Sequence, residues 1–189
     1  AMASSMAVPC ALPPSPTQGA RHRGNRFSAA LKSATGSDSM KSVHKSVLIW
    51  YSAQEMFDLV VDVEHYPAFL PWCSHGKVLS HEEGGMTAEV GIDFKGVRQT
   101  FVTRNTHVTG QEVHLHLVKG PFSRLEGGWV FTPVGQGGQR ACRVDLRLNY
   151  GFSNAVLAKV VGPVFDRIAS SLMDAFVKRA EKVYGTAAA

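Results

Sequence analysis

Eight histidines and three cysteines are the side chains of this 189-residue chain most suited to metal or nucleophilic chemistry. His114 and His116 lie two apart and project from one side of a strand, which is how a metal site can begin. By alternation with Val113, Leu115 and Leu117 that side is the wet one. No third ligand follows at a recognised spacing and no HExxH occurs, so the pair reads as a solvated strand face. Cys73 follows Trp72 and precedes His75 by two residues, an order that suggests a thiol beside a base. Neighbours in an irregular stretch rarely face one another, and no third group orients them. Ser123, in GPFSRLEGG, lacks the GxSxG elbow, and the same glycines lack the Lys-Ser/Thr ending of a phosphate loop. Gly127-Gly128 reads instead as a bulge before Trp129. The sequence thus predicts no catalytic residue, no metal ligand and no required cofactor; the protein is expected to bind rather than to catalyse.

What the residues can do is bury something apolar. Tyr66, Pro67, Phe69, Leu70, Pro71 and Trp72 crowd into the segment YPAFLPWC, where two prolines forbid a long helix. Such a loop reads as a cavity mouth or a rim that touches membrane. Phe94, Phe101, Phe122, Trp129 and Phe131 are strand aromatics, open to two readings: wall of a ligand pocket, or ordinary core. Leu172 and Phe176 offer the matching helical wall. Charge points the same way. The net charge is +5, of which +3 belongs to residues 1–39 and only +2 to the rest, so DNA is not expected as a partner. Arg98, Arg104, Arg143 and Arg147 are the residues of the main segment that a local RNA contact would use, although cross-strand charge pairing is the ordinary role for Arg143 and Arg147.

The elements that must hold these residues follow from periodicity. Residues 1–39, rich in Ala, Ser, Pro and Gly, are expected to be a disordered extension, with a transit peptide or an over-long start as its origin; Met40 reads as a natural initiator. Val43 to Trp50 reads as a strand, and Ser52 with Glu55 as a capping box opening a helix. Four later stretches alternate with period two: Ala88 to Phe94, Val113 to Leu117, Leu125 to Phe131 and Cys142 to Tyr150, separated by glycine-rich turns. Antiparallel hairpins are therefore expected and a Rossmann-like sheet is not. From Ser153 to Tyr184 the apolar rows Val156, Val160, Val164, Ile168, Leu172, Phe176 and Leu157, Val161, Phe165, Ala169, Met173, Val177 describe one broad helical face, broken at Gly162-Pro163 and capped by Gly185. Residues 186–189 are expected to be a disordered tail. The fold class is α+β: a curved antiparallel sheet of six or seven strands around a long C-terminal helix, with short helices after the first strand. A curved sheet cannot touch a straight helix along its whole width, so a cleft is expected, of roughly 300 to 1,000 Å³ if it serves as a ligand site.

The order of elements, with KSVHKSVLIWYSAQEMFDLVVDVEHYPAFLPWC, DFKGVRQTFVTRN and GPFSRLEGGWVF, resembles the coenzyme Q-binding START-like family that includes the bacterial RatA proteins, over residues 40–185. The resemblance implies a helix-grip fold and non-catalytic binding of a hydrophobic ligand. Ubiquinone or a related isoprenoid is the expected ligand, in support of respiration as a carrier or chaperone, with transient contact to a membrane. For the RatA branch it implies the large ribosomal subunit as partner and a toxin that blocks subunit joining. A cyclase or dehydratase acting on an aromatic polyketide shares the related fold, but no acid–base constellation is assignable here. The implied location is cytoplasmic, peripheral to the inner membrane, or mitochondrial if residues 1–39 are a transit peptide.

Overall fold

The computed structural model describes residues 40–135 and 140–185, so the expectations for residues 1–39 and 186–189 lie outside it. Seven strands form one antiparallel sheet: β1 (Lys41–Ile49), β2 (Cys73–Glu82), β3 (Gly85–Phe94), β4 (Val97–Val108), β5 (Glu112–Lys119), β6 (Phe122–Pro133) and β7 (Cys142–Phe152). Their spatial order is β1-β7-β6-β5-β4-β3-β2, a meander from β2 to β7 with β1 returning to pair with β7. The alternation seen in the sequence is the cause. In β7, Cys142, Val144, Leu146, Leu148 and Tyr150 are buried while Arg143 and Arg147 are exposed. Each strand can satisfy both environments in only one register.

Helix α1 (Ala53–Val61) starts as its sequence dictates: the Ser52 hydroxyl accepts from the Glu55 amide, and the Ser52 amide donates to the Glu55 carboxylate at 2.8 Å. A 3-10 turn over Val63–Ala68 contains Pro67 and ends the chain's excursion before β2. The C-terminal region is two helices, α2 (Ala155–Val160) and α3 (Gly162–Tyr184), with the division at Gly162-Pro163. Helix α3 buries Phe165, Ile168, Ala169, Met173, Phe176 and Ala180 against the concave side of the sheet. The expected broad apolar face is corrected at its start: Val156 and Val160 are exposed, because the break at Gly162-Pro163 lets α2 leave the line of α3.

Gly127-Gly128 is also corrected. Pairing with β7 is continuous from Leu125 to Pro133, and the irregularity falls between Phe122 and Arg124 instead. The glycines permit close strand approach: a Cβ at Gly127, where φ is +143°, would lie 2.0 Å from the Arg147 carbonyl oxygen, and one at Gly128 would lie 2.0 Å from that of Val113.

Arg140, two residues before β7, ties that end of the sheet to α1. Its Nε donates to the Glu55 carboxylate at 2.9 Å, and its guanidinium lies 5.3 Å from the Tyr51 ring and 6.0 Å from the Tyr184 ring. The Arg140 hydrogen bond holds the Glu55 pKa down at about 2 against an ordinary 4.5. A depressed folded-state pKa gives stability that is whole above the unfolded value and fades as pH falls from about 4.5 through about 2. Glu55→Gln is therefore expected to cost on the order of 2 kcal/mol at pH 7 and almost nothing near pH 2, as urea unfolding at the two pH values would show. Equal losses at both would mean that the capping hydrogen bonds, and not the ion pair, carry the effect.

Candidate functional site

Between the concave sheet face and α3 lies a cavity of about 100 Å³. Its floor comes from β3 and β4, where the register sets Val90 opposite Phe101, Ala88 opposite Thr103 and Met86 opposite Asn105. Val113, Leu115, Leu125, Trp129 and Leu148 continue the wall through β5, β6 and β7. Helix α3 closes the other side with Phe165, Ile168, Ala169, Leu172 and Phe176, and Val60, Val63, Tyr66 and Trp72 close one end. The volume is smaller than expected because large side chains occupy most of the gap. Phe176 alone meets Tyr66, Phe69 and Trp129 at ring-centroid distances of 5.5, 5.1 and 5.0 Å. Such a void admits little more than one ring, so a longer guest must part the half-buried Phe101, Leu115 and Leu172, where the cavity approaches solvent.

The lining is apolar with two exceptions of consequence. Thr103 and Asn105 are the buried polar residues of the described core, and both face the cavity. The Tyr66 hydroxyl is spent on the Val60 carbonyl at 2.7 Å, and burial pushes its pKa up. No lining residue titrates near neutral pH: among them are no His, Asp, Glu, Lys, Arg or Cys. What this arrangement does chemically is enclose an apolar body and offer a hydroxyl and a carboxamide to its polar atoms.

Six residues singled out in the sequence meet at this cavity: Tyr66, Trp72, Phe101, Trp129, Leu172 and Phe176. Seven do not. Pro67 and Pro71 are exposed outside it, Leu70 is fully buried in the core, and Phe69 is half-buried between Tyr66 and Phe176 with the Arg179 guanidinium 5.3 Å from its ring. Phe94 sits at the β3–β4 turn beneath Lys95. Phe122 packs among Phe101, Phe152 and Phe165, and Phe131 lies between Phe57 and Trp129. Of the segment YPAFLPWC, read from sequence as a cavity mouth or a membrane rim, Tyr66 and Trp72 line one end of the cavity while the two prolines and Ala68 are exposed.

Thr103 and Asn105 were missed, although a signal exists. With Phe101 they occupy alternate positions of β4, so two polar residues share the parity of the dry face. His107 continues that parity; its ring meets Phe57 edge-on, and burial lowers its pKa. Cys73 is no nucleophile here: its thiol donates to the His75 carbonyl at 3.3 Å, and burial pushes it up to about 11. His114 and His116 are exposed on the outer sheet face. The four arginines are exposed as well. Arg98 pairs with Asp93 at 2.8 Å, Arg104 with Glu82 at 2.6 Å and Arg143 with Asp145 at 2.9 Å. Arg147 stands beside side-chain-free Gly128 in an open groove that also includes His114, His116 and Arg143.

Comparison with known proteins gives this geometry a family. Residues 49–177 match the family described as polyketide cyclase/dehydrase and lipid transport. The chain belongs to that family. The ribosome association toxin RatA of Vibrio cholerae is 42% identical over 146 residues, 77% of this chain and 99% of that protein. A mitochondrial coenzyme Q-binding protein, COQ10 homolog B of Xenopus laevis, is 29% identical over 181 residues, 95% of this chain and 74% of that one. A START superfamily protein from Mycobacterium smegmatis superposes with a TM-score of 0.63 at 20% identity, over 75% of this chain and 98% of that one. This member of the polyketide cyclase/dehydrase and lipid transport family therefore has the START-like helix-grip fold, as its sequence predicts. No helix among the described residues is long and apolar enough to cross a membrane.

Proposed function

We propose that the chain binds an isoprenoid quinone, ubiquinone where that is the respiratory quinone, and shelters it without altering it. The observation that carries this reading is the cavity's composition: apolar and aromatic walls, two buried neutral hydrogen-bonding side chains and no group able to serve as acid or base at neutral pH. Ring carbonyls suit the Asn105 amide and Thr103 hydroxyl as donors. The walls suit a prenyl chain, each buried CH₂ of which is worth about 0.8 kcal/mol. A cyclase would need a group that exchanges a proton near neutral pH at its substrate; the lining holds no His, Asp, Glu, Lys, Arg or Cys, and its phenol, Tyr66, is spent on the Val60 carbonyl. The coenzyme Q-binding relative supports the choice of ligand. The reading puts the protein at the surface of a respiratory membrane, with the rest of a long tail left in the bilayer.

The test is extraction of purified protein with organic solvent and mass spectrometry for quinone, followed by titration with a short-chain quinone. A stoichiometric quinone is expected, and an empty extract together with no saturable binding would defeat the reading. Asn105→Leu is expected to weaken ring binding about tenfold while leaving affinity for an isoprenoid hydrocarbon, which has no polar atom, nearly unchanged. Equal weakening for both would show that Asn105 only shapes the cavity.

Ribosome association is the second reading, supported by the RatA relative and by the outer groove in which Arg147 and Gly128 adjoin His114 and His116. Salt-sensitive co-sedimentation with free large subunits, lost in Arg147→Glu, would support it; migration only at the top of the gradient would oppose it.

A further inference from the structure

Among the described residues, α2 is an apolar helix left largely uncovered: of its side chains Leu157 alone packs against the core. Its sequence, Ala-Val-Leu-Ala-Lys-Val, is apolar at five of six positions, yet none of its residues is buried; Val156 is 71% and Val160 56% exposed. Val156, Lys159 and Val160 are spaced i, i+3 and i+4 and share one face. The chain leading into α2 is tied to the turn between β5 and β6, since the Ser153 amide and hydroxyl both donate to the Pro121 carbonyl, at 3.2 and 3.1 Å. At that turn Val118 is 59% exposed beside Lys119. Residues 113–125 and 146–165 contain no Asp or Glu and supply Lys119 and Lys159 as cations, whereas Arg124 is paired with Glu126 at 2.8 Å. The cavity lies directly behind. Phe122, at the turn, packs on Phe101 at 5.7 Å and on Phe165 at 4.8 Å, and those two line the void.

We propose that α2 and the β5–β6 turn form a face that docks on an anionic phospholipid surface and brings the cavity to the bilayer. Exposed valines enter the boundary between headgroups and acyl chains, while Lys159 and Lys119 lay their stems along the same surface and keep their ammonium groups among the phosphates. The absence of carboxylates from both segments removes the repulsion that an acidic neighbour would add. This proposal deepens the quinone reading and rests on it, because a guest confined to membrane must enter from membrane.

Flotation with vesicles of phosphatidylcholine alone, and of phosphatidylcholine mixed with phosphatidylglycerol, tests it on the full chain. The protein is expected to float with the mixed vesicles, to bind phosphatidylcholine far less, and to release as salt is raised. The double substitution Val156→Asp, Val160→Asp is expected to reduce binding at least about tenfold, with melting unchanged because neither side chain is packed. Leu48→Asp, equally exposed near the opposite end of β1, should float like the parent. A parent chain that stays below the vesicles, or a double variant that floats like the parent, overturns the proposal. So does sedimentation showing a dimer that the double substitution dissociates, since the face would then join two copies. Short-chain quinone titration in solution separates this from the functional reading. Lost flotation with intact quinone binding defeats docking alone, and intact flotation with no quinone binding defeats the quinone reading alone.

Discussion

Replacing Ala169 with phenylalanine will leave a folded protein that no longer takes up a quinone. Ala169 is 1% exposed, lies on α3 and forms part of the cavity wall. Helix geometry fixes the direction of its Cβ, so the added ring has nowhere to go except the void. Overpacking a finished core costs about 1–3 kcal/mol, but here part of the new ring occupies empty space, which places the expected loss near the lower limit. The ligand suffers more. A void of about 100 Å³ that already admits little more than one ring cannot hold two, so affinity should fall at least about a hundredfold. Trp72 and Trp129 both line the cavity, and quenching of their fluorescence by a short-chain quinone reports occupancy directly. A variant that melts as a native protein and titrates with undiminished affinity would place the ligand somewhere else on the molecule. This experiment separates the two functional readings as well, because an outer-face contact with a ribosomal subunit has no reason to notice a ring added on the inner face.

The sheet and the long helix were legible in the sequence because each has a single periodicity tied to a single environment. In β7, burial alternates residue by residue with chemistry, and the i, i+4 rows of α3 match its buried face. Where chemistry and environment separate, sequence reasoning failed, and it failed for definable reasons. Trp129 and Phe131 have the same parity and both are buried, yet only Trp129 reaches the cavity. Parity says which side of the sheet a residue takes, whereas distance from α3 decides between void and core, and that distance is tertiary. In VRQTFVTRNTHV so many residues are polar that the phase is obscured, and pairing with Val90, Ala88 and Met86 is what turns Phe101, Thr103 and Asn105 inward. The α2 valines look like core from their spacing alone; their exposure follows from the change of direction before Gly162. Proline-bracketed YPAFLPWC is legible as irregular, but which of its side chains turn inward is tertiary: Tyr66, Leu70 and Trp72 find partners among α1, α3 and the core before reaching solvent.

Phe176 is where stability and binding meet, and Phe176→Ala should show both. Its ring is fully buried and touches Tyr66, Phe69 and Trp129, so truncation removes contacts on several sides and is expected to cost about 3–5 kcal/mol, lowering Tm by roughly 10 °C. Because the ring is also part of the cavity wall, the space it vacates adds to the void instead of closing over. A guest that binds only the folded state raises stability according to its concentration relative to its dissociation constant, and a wider void relaxes the steric limit on that binding. Quinone should therefore recover a larger increment of Tm in Phe176→Ala than in the parent. Should the alanine variant prove too unstable to purify, Phe176→Leu keeps most of the volume, with an expected cost below about 1.5 kcal/mol, and the same comparison of melting with and without quinone applies. A loss under about 1 kcal/mol in Phe176→Ala would contradict the packing, and a quinone increment smaller than the parent's would contradict the placement of the guest against α3.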